Sequence, residues 1–437
     1  MANYHHGPEV IERFEAGRVV RDVKAATLYL VGTAPVHLVH ADENTRAKYI
    51  ETDIIVRKAE DAIAAFGEFS AGGGAYSINN ALHSIFKKDR GSGVGTVIVR
   101  NVFNPATHLV DAAPDPTAVL PADIIGALDV AGKPKGLEAA MYTYGKFGYF
   151  PRRIIAPTFS TVLGVRQKML TVANKIKAHA IADLPPGLTK QQIVEKRGVA
   201  QDYQTGDDRL VYCAPHVKAL DPVTGDQTLQ PYSQHFAGVW NEVVNREEGD
   251  DDGGPAASPS NRKMPDVSGM EIDLAYYPGD TSSDTNLLNE AGIVTANMGQ
   301  YGSGIVTWGA HASSQGAIAD SQITRWLHIR AMYDVLHEAI LFYMMPHVDR
   351  RGMPQRIEYI EDQIQRYVNR KERDGWLYGG RFRFDRQKNT SDEILGEGRF
   401  WYRLDAAPMG IQHRITVESY IDMNLVRSAL GLNEAAA

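Results

Sequence analysis

The chain has 437 residues, of which 43% are apolar and 23% are charged, a composition typical of a soluble globular protein of about two to three domains. Its net charge of −7 disfavours proteins that coat nucleic acid, because these carry a basic surface. The single cysteine, Cys213, excludes an intrachain disulfide and a cysteine-rich metal site. It stands in an apolar run, which predicts a small core residue in a protein made in a reducing cytoplasm.

The first residues lack the charged and apolar regions of a signal peptide. The apolar run at residues 339–345 stops at Pro346, far short of the ~20 residues that span a bilayer. We therefore expect a soluble protein without a membrane segment.

Residues 8–24 open the chain with apolar and charged side chains in rough alternation on either side of Ala16 and Gly17. This pattern favours two short extended segments over a helix. Such strands need a sheet to join, so we interpret residues 1–25 as an N-terminal arm. Its candidate interface residues are Val10, Glu12, Phe14, Val19, Val20 and Val23.

The next part of the chain alternates between strand and helix patterns, which is typical of an open, mostly parallel α/β sheet. The predicted strands are Thr27–Gly32, Thr96–Val102, Arg153–Ala156, Ala178–Ala182 and Arg209–Ala214, with paired strands around Asn286–Thr295 and Ile305–Trp308. The predicted helices are Glu60–Phe66, Asn79–Lys87, Gly136–Tyr144, Val162–Lys177, Thr189–Lys196 and Gln234–Val244.

A different pattern begins near Ser321. Two long helices are predicted at Ile323–Met345 and Gln355–Arg373, followed by aromatic-rich strands between Trp376 and Leu404. Residues 411–422 alternate again, and a short amphipathic helix follows. We therefore interpret residues 411–437 as a C-terminal arm, with Ile415, Val417 and Tyr420 as its candidate interface residues.

No motif for a cofactor, a metal or catalysis is recognisable. The run Gly91–Gly95 lacks the closing Gly-Lys-Ser/Thr of a phosphate loop and precedes a strand instead of following one. The histidine pairs His5/His6 and His37/His40 lack further ligands. The acidic residues 247–252 lack the alternating order of a calcium loop, and no nucleophile elbow is visible.

The helix Gln355–Arg373 carries four arginines on one arc of its surface, beside an apolar stripe of isoleucines. These arginines are Arg356, Arg366, Arg370 and Arg373. Such segregation suits an acidic partner surface. The alternative is a solvated face stabilised by ion pairs four residues apart.

The sequence resembles the contractile-tail sheath proteins of myoviruses, which are related to the sheaths of R-type tailocins. The matching stretches are Tyr4–Gly7, Val31–Pro35, Pro121–Gly126, Gly136–Ala139, Arg153–Pro157, Ala257–Asn261, Asn286–Thr295, Trp308–Gly309 and Gly375–Gly380. They lie in the expected order and extend over nearly the whole chain.

The resemblance implies a subtilisin-like α/β domain with a smaller α+β C-terminal domain and extended terminal strand arms. We divide the chain into an N-terminal arm (1–25), an N-terminal α/β portion (26–120), a sheath domain (121–318), a C-terminal domain facing the tube (319–410) and a C-terminal arm (411–437). The implied protein is a structural subunit without catalytic residues, cofactor or metal.

The resemblance also implies partners and a location. Hexameric rings of the chain would stack around a tail tube protein, meet baseplate and terminator proteins at the ends, and touch neither nucleic acid nor membrane. The assembly would be built in the host cytoplasm and would form the tail sheath of a virion. A tailocin or bacterial injection-system sheath, and a hydrolase on a subtilisin-like sheet, remain alternatives.

Overall fold

A computed structural model describes residues 19–69, 74–86, 93–221, 224–246, 253–314, 325–391 and 396–430. The strands in this part are β1 (Thr27–Gly32), β2 (Asp53–Val56), β3 (Thr96–Asn101), β4 (Leu109–Val110), β5 (Ala113–Pro114), β6 (Arg153–Ile155), β7 (His179–Asp183), β8 (Leu210–Cys213), β9 (Val217–Leu220), β10 (Gln227–Gln230), β11 (Val267–Met270), β12 (Ile293–Met298), β13 (Ile305–Trp308), β14 (Leu377–Phe384) and β15 (Tyr402–Pro408).

The α-helices in the same part of the chain are α1 (Val36–Val39), α2 (Glu43–Ala47), α3 (Ala59–Phe66), α4 (Ser77–Ile85), α5 (Pro121–Ile125), α6 (Thr143–Phe147), α7 (Leu163–Ile176), α8 (Lys190–Lys196), α9 (Tyr232–Asn245), α10 (Asp284–Glu290), α11 (Leu327–Met344), α12 (Pro354–Arg373) and α13 (Met423–Ala429). Short 3-10 helices lie at Pro116–Ala118, Gly136–Tyr142, Phe159–Thr161, Gln300–Gly302, Met345–His347 and Lys388–Thr390.

A central sheet of eight strands has the order β13-β12-β8-β7-β6-β1-β3-β2. The six inner strands are parallel to one another, and the edge strands β2 and β13 pair antiparallel. From β1 the chain winds outward in both directions, which is the topology of open α/β folds with helices on both faces. The predicted mixed α/β class is confirmed at this level by the sheet.

Each face of the sheet is covered by its own apolar core. On β1, Leu28 and Leu30 face one core while Tyr29 and Val31 face the other, as the two-residue period of a strand requires. Helices α4 and α9 contribute to the first core, and α7 contributes to the second. Thirteen of the fourteen residues of α9 are buried, so this helix is enclosed on all sides.

Two local predictions differ from the structure. Residues 286–290, predicted as part of a strand, form α10 instead. Asp284 lies in the first turn of α10 and suits its positive end, and Gly292, with φ +73°, lets the chain turn from the helix into β12. The predicted helix Gly136–Tyr144 is a 3-10 helix that continues into α6.

The C-terminal part forms a separate packed group, here called the helix–hairpin unit and consisting of α11, α12, β14 and β15. Its apolar core contains Leu336, Ile364, Val368 and Trp376. The antiparallel hairpin β14–β15 lies across α12 and is offset by a bulge near Gly379. The unit thus has its own core beside the two cores of the sheet.

Buried charges join the helix–hairpin unit to the amino ends of the sheet strands. Arg209, just before β8, donates two hydrogen bonds of 2.5 and 2.7 Å to Asp334 on α11. Arg152, just before β6, forms an ion pair of 2.5 Å with Glu338 on the same helix. Because Arg209 and Asp334 are nearly inaccessible to water, loss of one partner leaves the other charge buried and unpaired.

We predict that Asp334→Ala destabilises the protein by about 3–5 kcal/mol, the usual cost of breaking a buried ion pair from one side. Urea denaturation followed by far-UV circular dichroism measures the change. Asp362→Ala is the matched control, because the ion pair of Asp362 with Arg366 leaves the two side chains 52% and 71% exposed. Equal stability of the two variants would contradict a stabilising role for the buried pair.

Candidate functional site

The C-terminal segment lies away from the folded body. Every residue from 412 to 430 is exposed, and residues 411–422 form no regular secondary structure. The predicted interface residues Ile415, Val417 and Tyr420 have 74%, 83% and 81% of their surface exposed. So many large apolar side chains on one exposed segment are typical of a surface that binds another protein.

The exposed segment departs from the body at His413. The His413 ring lies 5.1 Å from the ring of His311 and 5.0 Å from that of Trp326. Burial, followed by the charges of His413, Arg325 and His328, lowers the pKa of His311 to about 4. The imidazole of His311 is therefore neutral at physiological pH. The exposed segment is held to the body at His413 by packing of the aromatic rings.

The N-terminal segment behaves differently from the C-terminal one. Val20 is 1% exposed and belongs to the core of the helix–hairpin unit, whereas Val19 is 59% exposed and Val23 is half-buried. None of residues 19–26 belongs to a strand. Val10, Glu12 and Phe14 lie outside the described residues.

Polar contacts fix the N-terminal segment on α12. Tyr367 donates a hydrogen bond of 2.8 Å to Asp22, and the buried Lys371 ammonium lies 3.2 Å from the same carboxylate. Arg370 donates a bond of 3.0 Å to the carbonyl of Val20. These contacts therefore hold Val20 and Asp22 on the body of the subunit.

The four arginines on α12 do not share one environment. Arg370 contacts Val20 as described, Arg356 donates to the carbonyl of Arg351 at 3.1 Å, and Arg366 forms an exposed ion pair with Asp362 at 2.9 Å. Arg373, in the last turn, is exposed. The sequence pattern placed these residues on one arc, but it contained no signal for the bond between Arg370 and Val20.

One edge of the hairpin is covered by α12. Phe382 and Phe384 of β14 donate their backbone N–H groups to Gln365 at 2.7 Å and to Glu361 at 3.3 Å. Gln365 in turn donates to the carbonyl of Gly380 at 3.0 Å. The outer edge of β14 is thus occupied by side chains of the same subunit.

The outer edge of β15 is open. In an antiparallel pair, opposite residues either bond to each other or both direct their groups away from the pair. Phe382 and Phe384 bond outward, so the residues opposite them, Leu404 and Tyr402, also direct their N–H and carbonyl groups away from β14. Within the described part of the chain, no hydrogen bond reaches these outward groups. Tyr333 covers only the neighbouring carbonyl of Ala406, at 2.9 Å.

A serine, a histidine and an aspartate do come together in the core, as the hydrolase alternative requires. Ser84 Oγ and Asp266 Oδ2 each lie 3.5 Å from a ring nitrogen of His235. These distances exceed those of a working nucleophile and base, and all three residues are at most 6% exposed. Ser84 also donates to the carbonyl of Asn80 and accepts from Gln234. The group is a buried structural network that no substrate reaches.

The described residues provide neither a metal site nor a membrane-spanning helix. Among them, no group of three or more histidine, cysteine, aspartate or glutamate side chains is placed to hold a metal. Within the same ranges, none of the helices has both the length and the apolar character needed to cross a membrane.

Known proteins that are similar to this chain in sequence or in structure are sheath proteins. The chain is similar to the tail sheath protein of Burkholderia phage BcepMu, with 29% identity over 99% of this chain and 100% of that protein. It is 26% identical to a prophage major tail sheath protein of Pseudomonas aeruginosa, over 80% of each chain. The contracted helical sheath of the anti-feeding prophage has a TM-score of 0.66 at 16% identity, covering 96% of this chain and 100% of that chain. No protein-family model matches the sequence.

The relatives in sequence and in structure are sheath components, so this chain is a structural subunit and not an enzyme. Over nearly its whole length the chain is similar to contractile tail sheath proteins, as the sequence resemblance implied.

We predict that Val20→Asp destabilises the subunit by more than about 3 kcal/mol, because it removes a buried side chain and places a carboxylate in an apolar core. Val19→Asp is the control at the adjacent, exposed position and should leave the stability nearly unchanged. Thermal unfolding of the two variants tests this. Similar midpoints for both would show that the N-terminal segment does not contribute to the core.

Proposed function

We propose that copies of this chain form hexameric rings, stacked helically around a tail tube, and that contraction of the stack drives the tube through the host envelope. The observation that carries this proposal is the exposed apolar segment at residues 412–430, which needs a partner outside its own subunit. The contracted helical sheath among the structural neighbours supports the same arrangement.

The C-terminal arm joins rings by adding a strand to a neighbouring subunit, and the open edge of β15 is the acceptor. The arm supplies alternating apolar side chains, and β15 offers the outward backbone groups of Tyr402 and Leu404. Strand addition pairs these groups and buries the apolar side chains in one step. Each added hydrogen bond contributes about 0.5–1.5 kcal/mol, so a short strand forms a firm link.

The N-terminal arm acts in the same way from residues before Val20. Its candidate strand residues are Val10, Glu12 and Phe14, while Val20 anchors the arm to the helix–hairpin unit. A subunit with one anchored arm at each end can bind two neighbours. Each link is a stretch of chain between two folded bodies, so rings can rotate relative to one another without separating.

Contraction proceeds from an extended, metastable lattice to one with more contact between the bodies of the subunits. The energy is stored in the assembled lattice, so no nucleotide is consumed. In this scheme the body consists of the segments 26–120, 121–318 and 319–410, with the larger α/β part a subtilisin-like scaffold. The mainly parallel sheet covered by helices on both faces supports that assignment.

The tube is contacted by the basic side of α12. Arg366 and Arg373 are exposed there, with Arg356 at the other end of the helix, and they face an acidic tube surface. An exposed ion pair contributes only about 0–1 kcal/mol, which repetition around each ring multiplies while every contact stays easy to break. Arg370 supports this surface indirectly by holding the N-terminal segment.

The further partners are the baseplate and the tail terminator at the two ends of the sheath. The assembly site is the host cytoplasm and the final location is the virion tail. A sheath of a tailocin or a bacterial injection system is the second candidate, favoured by the similarity to a prophage protein and to the anti-feeding prophage sheath. Genes for a capsid and a terminase beside the sheath gene would distinguish the phage from this alternative.

Assembly should depend on the arm and on the edge that accepts it. We predict that truncation after His413 leaves a folded, soluble subunit that forms no cylinders, because the contacts of His413 are kept while the strand is lost.

Leu404→Pro should also prevent cylinder formation, since it removes an outward N–H from β15 but no bond between β14 and β15. Negative-stain microscopy and sedimentation measure cylinder formation.

The matched control for the edge is Leu404→Ala, which removes the same side-chain packing and keeps the N–H. It should assemble. Cylinders of normal length from the truncated chain would refute the role of the arm, and cylinders from Leu404→Pro would place the acceptor edge elsewhere.

Tube binding is tested with Arg366→Glu/Arg373→Glu. We expect this variant to keep its fold and its sheath contacts but to co-assemble with tubes at least tenfold less well at low salt. The control Lys48→Glu/Lys58→Glu makes the same charge change at two exposed lysines distant in sequence from α12 and should bind like the wild type. Equal binding of both variants in a co-sedimentation assay would place the tube-facing surface elsewhere.

A further inference from the structure

A small cavity lies between the amino ends of β6 and β7 and the first half of α11. Its free volume is about 10 Å³, which accommodates one group the size of a water molecule. Arg152, Arg153 and His179 line one side, and Asp334 and Val335 of α11 line the other. The cavity therefore lies where the sheet meets the helix–hairpin unit.

Several hydrogen-bond donors at this cavity have no partner. Arg152, Arg153 and His179 are 5%, 2% and 2% exposed. Even so, the donors Arg152 Nε and Nη1 and Arg153 Nε form no hydrogen bond within the described residues. His179 Nε2 has no partner there either, and it is a donor in the tautomer that carries the proton on Nε2. The carboxylate of Asp334 does not accept from these donors, because it accepts two hydrogen bonds from Arg209 and one of 2.9 Å from Arg330. The cavity thus presents an excess of donors.

The charge around the cavity is also positive. Arg153 donates to the carbonyl of Ala25 at 3.0 Å and to Asn241 at 2.7 Å, both of them neutral, and forms no ion pair within the described ranges. Burial, together with the charge of Arg152, lowers the pKa of Arg153 to about 9. Burial and the surrounding arginines hold the pKa of His179 well below its usual value, so the imidazole is neutral.

We propose that this cavity binds one small monovalent anion, chloride under cellular conditions, held by Arg152, Arg153 and the N–H of His179. A chloride ion accepts hydrogen bonds and donates none, which matches a lining whose unsatisfied groups are donors. A water molecule would have to donate as well as accept, and the carboxylate facing it is already bonded to two arginines. The bound anion would also neutralise the buried charge of Arg153.

The test compares thermal unfolding of the full-length protein in sodium chloride and in sodium gluconate at equal ionic strength. Gluconate is too large for the cavity, so chloride should raise the unfolding midpoint and the effect should saturate. Arg153→Gln should weaken the chloride response at least tenfold. Arg427→Gln is the matched control, because Arg427 is exposed in α13, and it should respond like the wild type.

A second measurement does not depend on the folding of a variant. Crystals of the wild-type protein grown in bromide should show an anomalous peak between Arg152 and Arg153. Equal midpoints in the two salts, or a chloride effect without a bromide peak in the cavity, would overturn the proposal. The cavity would then hold water only.

Discussion

An extended stretch of polypeptide carries N–H and carbonyl groups that must be hydrogen-bonded wherever apolar side chains exclude water. This requirement governs the subunit, because residues 411–422 combine exposed apolar side chains with a backbone that pairs with no strand within the described part of the chain. The outer edge of β15 has backbone N–H and carbonyl groups that point outward, and no strand of the described residues pairs with that edge. The remainder of the fold holds these two incomplete parts at defined positions.

The body is suited to that task because its parts are tied together by contacts that are costly to lose. The sheet has an apolar core on each face, and the helix–hairpin unit has a third. Lys371, buried between Asp22 and Asp374 and 3.9 Å above the ring of Trp376, connects the N-terminal segment to this third core. In the proposed assembly, a pull on the N-terminal arm would therefore reach the body through Val20 and Asp22.

The sequence was informative where a pattern is local. The apolar run of β1 and the amphipathic stripe of α12 follow directly from residue periodicity, and both elements were predicted within one residue at each end. Contacts between distant residues left no such signal. Arg209 and Asp334 are 125 positions apart, and Arg370 and Val20 are 350 positions apart. The helix at Asp284–Glu290 was missed because its flanking apolar residues favour a strand equally well.

The buried charges between the sheet and α11 have a mechanical consequence. Sliding α11 along the sheet would separate Arg209 from Asp334 and Arg152 from Glu338 inside a medium of low dielectric constant, where unpaired charges are strongly disfavoured. We therefore expect each subunit to turn as a rigid body when the sheath shortens. In the proposed lattice, the bending of the C-terminal link is then confined to residues that follow His413, because the His413 ring is held against His311 and Trp326.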